Sequence, residues 1–143
     1  MKKPDILIIY TGGTIGMIKD DNGTLLPFTF ENLQNYIPLL KSFPAEIDSY
    51  SFENLIDSSD ANTEFWKELS NVIVENYDKY DGFVILHGSD TMAYTASALS
   101  FMLENLTKPV ILTGSQLPLG LLRTDGRENI IAAIELACIQ KKQ

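Results

Sequence analysis

The 143-residue chain is 45% hydrophobic and carries eleven Lys+Arg against nineteen Asp+Glu, a formal charge of −8. That length suffices for one domain with its own core, and the acidic balance disfavours phosphate backbones and anionic lipid surfaces, so neither nucleic acid nor a membrane is expected as a partner. No apolar run approaches the roughly 20 residues of a transmembrane helix, the basic start Met1-Lys2-Lys3 precedes an apolar run too short for a secretory leader, and the single cysteine, Cys138, rules out an internal disulfide or a thiolate metal cluster, all of which points to the cytoplasm.

The first element is the apolar run Ile6-Leu7-Ile8-Ile9, which breaks into Tyr10-Thr11-Gly12-Gly13-Thr14-Ile15-Gly16. Such a run reads as a buried parallel strand that delivers a polar loop to the carboxyl edge of a sheet, where open α/β proteins bind ligands. Asp20-Asp21-Asn22-Gly23 between Met17-Ile18 and Leu25-Leu26 signals a tight hairpin beside that loop, placed to act as a lid. Phe30, Leu33, Ile37 and Leu40 recur at helical spacing over 28–43, with Pro38 ending or kinking the helix. Residues 46–52 alternate loosely and suggest a short strand, followed by the polar turn Asp57-Ser58-Ser59-Asp60.

Asn62 is positioned to cap a helix to about Tyr77 with Phe65, Leu69, Val72 and Ile73 on one face. Phe83-Val84-Ile85-Leu86 is a second apolar strand, ending in His87-Gly88-Ser89-Asp90-Thr91. The helix expected over 92–104 is apolar almost all round, which implies burial on more than one side and suggests a subunit interface. Val110-Ile111-Leu112 forms a third strand, ending in Thr113-Gly114-Ser115-Gln116. Asp125 with Glu128 resembles a capping box that opens a last helix carrying Ile130, Ile131, Ile134 and Ala137 inward. Alternating strands and helices predict a Rossmann-like or flavodoxin-like three-layer α/β sandwich with a mostly parallel sheet.

The chemistry follows from the loops. The run Thr-Gly-Gly-Thr-Ile-Gly misses the dinucleotide fingerprint, because Thr11 stands where the first glycine belongs, and no Gly-Lys-Ser/Thr follows for a phosphate loop. His87, Ser89 and Asp90 are too close in sequence to form a triad and lie outside a Gly-x-Ser-x-Gly elbow, so His87 is expected to bond the backbone at its strand end. One histidine and one cysteine leave no set of metal ligands. What remains is a cup of hydroxyls at Thr14 and Ser89, a carboxylate at Asp90, the cluster Asp57-Ser58-Ser59, and glycine-turn N–H groups at Gly13 and Gly88 able to meet an oxyanion. Such a cup suits a small zwitterion, the acid holding an ammonium and the donors a carboxylate.

Tyr10 to Met17, Asp57 to Asp60, Asp81 to Ser97 and Thr113 to Gln116 together make the chain resemble the bacterial-type L-asparaginases, the cytoplasmic type I group in particular. The resemblance implies a cofactor-free amidohydrolase acting on L-asparagine, with Thr14 as nucleophile and Ser89 at the position of a second catalytic hydroxyl that is usually threonine. It also implies that Asp90 holds the α-ammonium and that Ser58, helped by Asp57 and Ser59, holds the α-carboxylate. The hairpin corresponds to the family's lid, with Thr24 where many members carry tyrosine. The family's catalytic lysine falls beyond residue 143, and Lys141 and Lys142 are not replacements for it. Residues 1–143 are accordingly expected to be an incomplete amino-terminal domain without its carboxy-terminal partner, inactive or weakly active alone, and part of a homodimer or homotetramer at full length. A fragment that only binds aspartate or asparagine, and a glutaminase or amidotransferase-type relative, stay open beside this reading, although the acidic charge argues against a tRNA substrate.

Overall fold

The computed structural model describes residues 2–26 and 28–139. Lys141 and Lys142 lie outside the described residues. The chain runs through β1 (Asp5–Tyr10), a two-stranded ribbon of β2 (Ile18–Lys19) and β3 (Leu25–Leu26), α1 (Phe30–Tyr36) and β4 (Glu46–Ser51). It continues through α2 (Thr63–Asn76), β5 (Gly82–Leu86), α3 (Met92–Met102), β6 (Val110–Thr113) and α4 (Gly126–Ala137), with 3-10 turns at Thr14–Gly16, Pro38–Ser42 and Ser58–Asp60.

The main sheet has the order β4-β1-β5-β6, and its strands pair in parallel throughout. Alternate residues of each strand face opposite layers. Ile6, Ile8, Val84 and Leu86 pack with Leu33, Ile37, Ile130 and Ile134 under α1 and α4. Leu7, Ile9, Phe83 and Ile85 pack with Phe65, Leu69, Ile73 and Leu99 under α2 and α3. Covering both faces is what turns β1 and β5 into unbroken apolar runs, each buried aliphatic contributing roughly 1.5–3 kcal/mol. The three-layer α/β sandwich expected from the sequence is therefore present, and its loops leave the carboxyl ends of β1, β4 and β5 side by side.

Several local expectations change. The helix predicted over 28–43 stops at Tyr36 and resumes as a 3-10 turn at Pro38, whose ring sits at the first turn because it lacks the N–H an interior position needs. The hairpin forms, but with a three-residue turn: Gly23 N–H donates to Asp20 O at 3.0 Å and Gly23 adopts φ +81°. Asn62 caps α2 as expected, its Oδ1 accepting from Phe65 N–H at 3.0 Å.

Asp125 does not cap α4. It is already in helical conformation, so its carboxylate reaches out to the N–H groups of Gln116 and Leu117, while Thr124 Oγ1 accepts from Gly126 N–H. Within this single chain α3 is covered on one side only, so the further burial expected of it would have to come from another surface. Only Thr95 and Leu99 of α3 are buried, and its outer face exposes Tyr94, Phe101 and Met102, with Phe101 at 86%. Apolar composition marked the helix correctly, but only one layer of this chain lies against it.

Candidate active site

The loops after β1, β4 and β5 enclose a cavity of about 580 Å³ lined by Gly13, Thr14, Asp57, Ser58, Gly88, Ser89 and Asp90, with Tyr10, Met17 and Phe28 among its apolar walls. Of the residues singled out in the sequence, Ser59 and Thr24 are outside this lining. Thr24 is exposed on the ribbon, its N–H donating to Asp20 Oδ1 and its carbonyl accepting from Asp20 N–H. The loop after β6 also stays outside the cavity. Its place is taken by the segment after β4, because Phe52 N–H donates to Tyr10 O and Ile56 N–H to Thr11 O, which lays that segment along the end of β1.

The three loops meet at glycines. Gly13 has φ +83°, and a Cβ there would lie 2.7 Å from both Cα and N of Gly88. A Cβ on Gly88 would in turn overlap the side chain of Ser58, so side chains at either position would push the loops apart. Thr91 Oγ1 completes the junction by donating to Ser58 O at 2.6 Å.

Within this frame the hydroxyls divide. Thr11 is buried and spends its hydroxyl on Leu86 O at 3.0 Å, a structural bond. Among the described residues the side chains of Thr14, Ser58, Ser89 and Asp90 have no protein partner and face the cavity. Asp57 is already engaged: its carboxylate accepts from Ser59 N–H at 3.0 Å and from Ser59 Oγ at 2.9 Å. The Ser59 N–H first, and its hydroxyl second, hold the Asp57 carboxyl below the usual range, which makes it a poor proton acceptor. Asp57 and Ser59 thus form a support for the Ser58–Asp60 turn, with Ser58 directed inward.

His87 lies beneath the junction, 1% exposed. Its Nδ1 contacts Gly88 O at 2.6 Å and its Nε2 contacts Thr95 Oγ1 at 2.9 Å, while Trp66 Nε1 donates to the same Thr95 oxygen at 3.0 Å. A carbonyl can only accept and an indole N–H can only donate, so with Thr95 donating to the ring the chain runs Trp66 to Thr95, Thr95 to His87 Nε2, His87 Nδ1–H to Gly88 O. That order requires a neutral imidazole, and burial pushes the His87 pKa down, in agreement. The backbone bond expected for His87 is present; the link to Thr95 and Trp66 could not be seen in the sequence, since it joins two helices.

No cationic residue is among those lining the cavity, and no grouping of three or more His, Cys, Asp or Glu able to hold a metal occurs among the described residues. No helix of the described residues is long and apolar enough to cross a membrane. Sequence reasoning missed Tyr10 and Glu53 as lining residues. A firmer reading of the strand at 46–51 would have brought Glu53 to the same edge.

Fold and cavity define an open α/β protein whose parallel sheet presents unpartnered hydroxyls and an acid at its carboxyl edge. Residues 5–143 match the family described as asparaginase, N-terminal, and the chain belongs to that family. L-asparaginase 1 of Escherichia coli strain K12 is 50% identical to it over 141 residues, covering 96% of this chain and 41% of that protein. The crystal structure of L-asparaginase I from Vibrio cholerae superposes with a TM-score of 0.79 at 47% identity, covering 94% of this chain and 41% of that one. The thermostable L-asparaginase from Thermococcus kodakarensis gives a TM-score of 0.83 at 36% identity over 93% of this chain and 40% of that one. The chain spans about two fifths of the length of each of these three asparaginases.

Proposed function

We propose that residues 1–143 form the amino-terminal part of an L-asparagine amidohydrolase and supply its nucleophile and amino-acid cradle. The observation that carries this reading is the convergence of Thr14, Ser58, Ser89 and Asp90 in one cavity with their side chains free of protein partners. In this reading Asp90 holds the substrate's α-ammonium, and Ser58, on the turn braced by Asp57 and Ser59, donates to its α-carboxylate. Thr14 Oγ attacks the side-chain amide carbonyl, and backbone N–H groups at the Gly13 and Gly88 turns stabilise the oxyanion. The C–N bond breaks, ammonia leaves with the proton from Thr14, and water hydrolyses the β-aspartyl ester to L-aspartate with Thr14 restored. Ser89 serves as the second hydroxyl beside Thr14.

Thr14 needs a base, and the residues lining the cavity supply no amine or imidazole. The resemblance puts the corresponding lysine after residue 143, so the 143-residue chain alone should turn over asparagine orders of magnitude more slowly than its relatives, because groups that act as a unit lose most of their rate together. The same observation favours a second reading, in which this chain only binds aspartate or asparagine. A coupled ammonia assay with L-asparagine and L-glutamine, run beside titration calorimetry with L-aspartate, separates the two. Turnover of asparagine lost in Thr14→Ala supports the enzyme; heat with L-aspartate that vanishes in Asp90→Ala, without turnover, supports the binder. Absence of both removes the assignment. The single cysteine agrees with a cytoplasmic setting, and the outer face of α3 is the surface through which we expect copies to associate.

A further inference from the structure

We propose that Tyr10 is a positioning residue for Thr14, its phenol clamping the Gly13–Thr14 peptide and its ring carrying the turn that presents the Thr14 hydroxyl. The proposal goes beyond the functional reading but rests on it in one respect, the role of Thr14 as nucleophile.

Tyr10 is the last residue of β1, and its side chain lies on the α1/α4 face, where it is 4% exposed with its ring centroid 4.7 Å from that of Phe28. At this end of the strand the face no longer has a helix over it. It has the glycine loop instead. The Tyr10 hydroxyl donates to Gly13 O at 3.1 Å. That oxygen belongs to the planar peptide unit that also contains Thr14 N and Cα, so a bond to it restrains the unit that carries Thr14. Gly13 also lies close to the backbone of Gly88, where an added Cβ would meet Cα and N at 2.7 Å, so the loop has a second restraint at the same residue.

The ring makes the second contact. A Cβ on Gly16 would overlap Cε2 and Cζ of Tyr10, so Gly16 can lie on the ring only because it has no side chain. Gly16 closes the 3-10 turn Thr14–Gly16, in which Met17 N–H donates to Thr14 O at 3.1 Å. Tyr10 and Gly16 are therefore a matched pair, one providing a platform and the other the clearance to sit on it. Burial pushes the phenol pKa up to about 12, so the hydroxyl keeps its proton and remains a donor at neutral pH. The Thr14 hydroxyl itself has no partner among the described residues, so its placement depends on the backbone that carries it. A nucleophile displaced by about 1 Å can lose roughly a hundredfold in rate, which is why a clamp at this point matters.

Tyr10→Phe removes the donor and keeps the ring. Amide hydrogen exchange in the ligand-free protein is the direct readout, with the Met17 amide reporting the turn and the Val84 amide reporting the sheet. In Tyr10→Phe the Met17 amide should exchange about 5–10-fold faster relative to Val84, the effect of losing one hydrogen bond locally. A purely structural loss would speed both amides together. Tyr36→Phe, which removes a phenol bonded to Lys19 O away from the cavity, should leave the ratio unchanged. Gly16→Ala attacks the platform from the other side with the phenol intact, and should raise the ratio as well. An unchanged ratio in both Tyr10→Phe and Gly16→Ala overturns the proposal. A titration with L-aspartate on the same proteins tests the functional reading separately: a wild-type chain that binds none defeats that reading, while the exchange ratio still decides the role of Tyr10.

Discussion

Two stretches border the cavity, and they are built in opposite ways. At the junction of Gly13, Ser58 and Gly88 three backbones touch with no room for a Cβ, Thr91 ties two of the loops together, and the buried chain Trp66–Thr95–His87 reaches the Gly88 carbonyl from below. The ribbon from Ile18 to Leu26 has one antiparallel pairing of two residues per strand and a turn organised by the single carboxylate of Asp20. The contrast teaches where positional accuracy is stored. The hydroxyls and the acid that line the cavity lie in the half where backbones touch, and of the ribbon only Leu26 lines it. Local openings are drawn from weakly packed segments, so the ribbon is the part of the site we expect to open for a ligand.

The sharpest way to break this contrast is one extra methyl in each half. In Gly13→Ala the methyl meets the Gly88 backbone at 2.7 Å and the residue must also hold φ +83°, so the loops have to separate. We expect a loss of about 3 kcal/mol or more in urea denaturation and no measurable binding of L-aspartate. In Gly23→Ala the added Cβ meets nothing within 4 Å, leaving only the strain of φ +81°. That should cost about 1 kcal/mol and leave L-aspartate binding intact. Equal losses for the two variants would show that the junction is no tighter than the ribbon.

A smaller effect comes from beneath the junction. Thr95→Val keeps the shape but removes both the acceptor for Trp66 and the donor to His87 Nε2, leaving one half-buried and one buried polar group without those partners. The expected loss is about 2–3 kcal/mol by the same denaturation. Thr95→Ser should restore most of it. A silent Thr95→Val would mean that water replaces the hydroxyl without cost.

The same chain predicts a pH dependence smaller still. The His87 pKa lies below its ordinary value because burial disfavours the imidazolium, so the unfolded chain binds the proton more readily than the folded one. The stability this contributes is fully present above about pH 6.5 and declines as pH falls below that value and through the lowered folded pKa. Thermal melts should therefore show a falling Tm through that window, and the slope should flatten in His87→Gln. A wild-type Tm that stays level there would contradict a neutral buried His87.

What could be read in advance follows the same division. β1 and β5 are covered on both faces, and their unbroken apolar runs betrayed both the strands and the loops they deliver. β4 pairs with β1 alone at the sheet edge, and its partly exposed alternation gave a weak signal although its continuation supplies Asp57 and Ser58 to the cavity. The residues that tighten the site were harder to see. Tyr10 reads as the end of a strand, Thr95 as one small residue in an apolar helix, and Trp66 meets Thr95 only because α2 and α3 lie on the same face of the sheet. Asp125 shows the limit of a spacing rule, since Asp-x-x-Glu cannot distinguish a side-chain cap from a residue already in helical conformation whose carboxylate holds a loop from nine positions earlier.

The mildest change bears on the ribbon alone. The Asp20 carboxylate accepts from the N–H groups of Asn22 and Thr24, at 2.9 and 2.8 Å, and among the described residues no other side chain bonds within that turn. In Asp20→Ala those amides turn to water, which reaches them freely, so global stability should change by less than ~0.5 kcal/mol. The Asp20 backbone still pairs with Gly23 and Thr24, and the base of the ribbon is still anchored by buried Ile18 and by Tyr36 on Lys19 O. Exchange at Asn22 and Thr24 should rise while Met17, on the Tyr10 platform, stays as protected as before. If Met17 loosens together with the tip, ribbon and glycine turn open as one unit, and the boundary between the rigid and movable halves lies deeper in the site than Gly16.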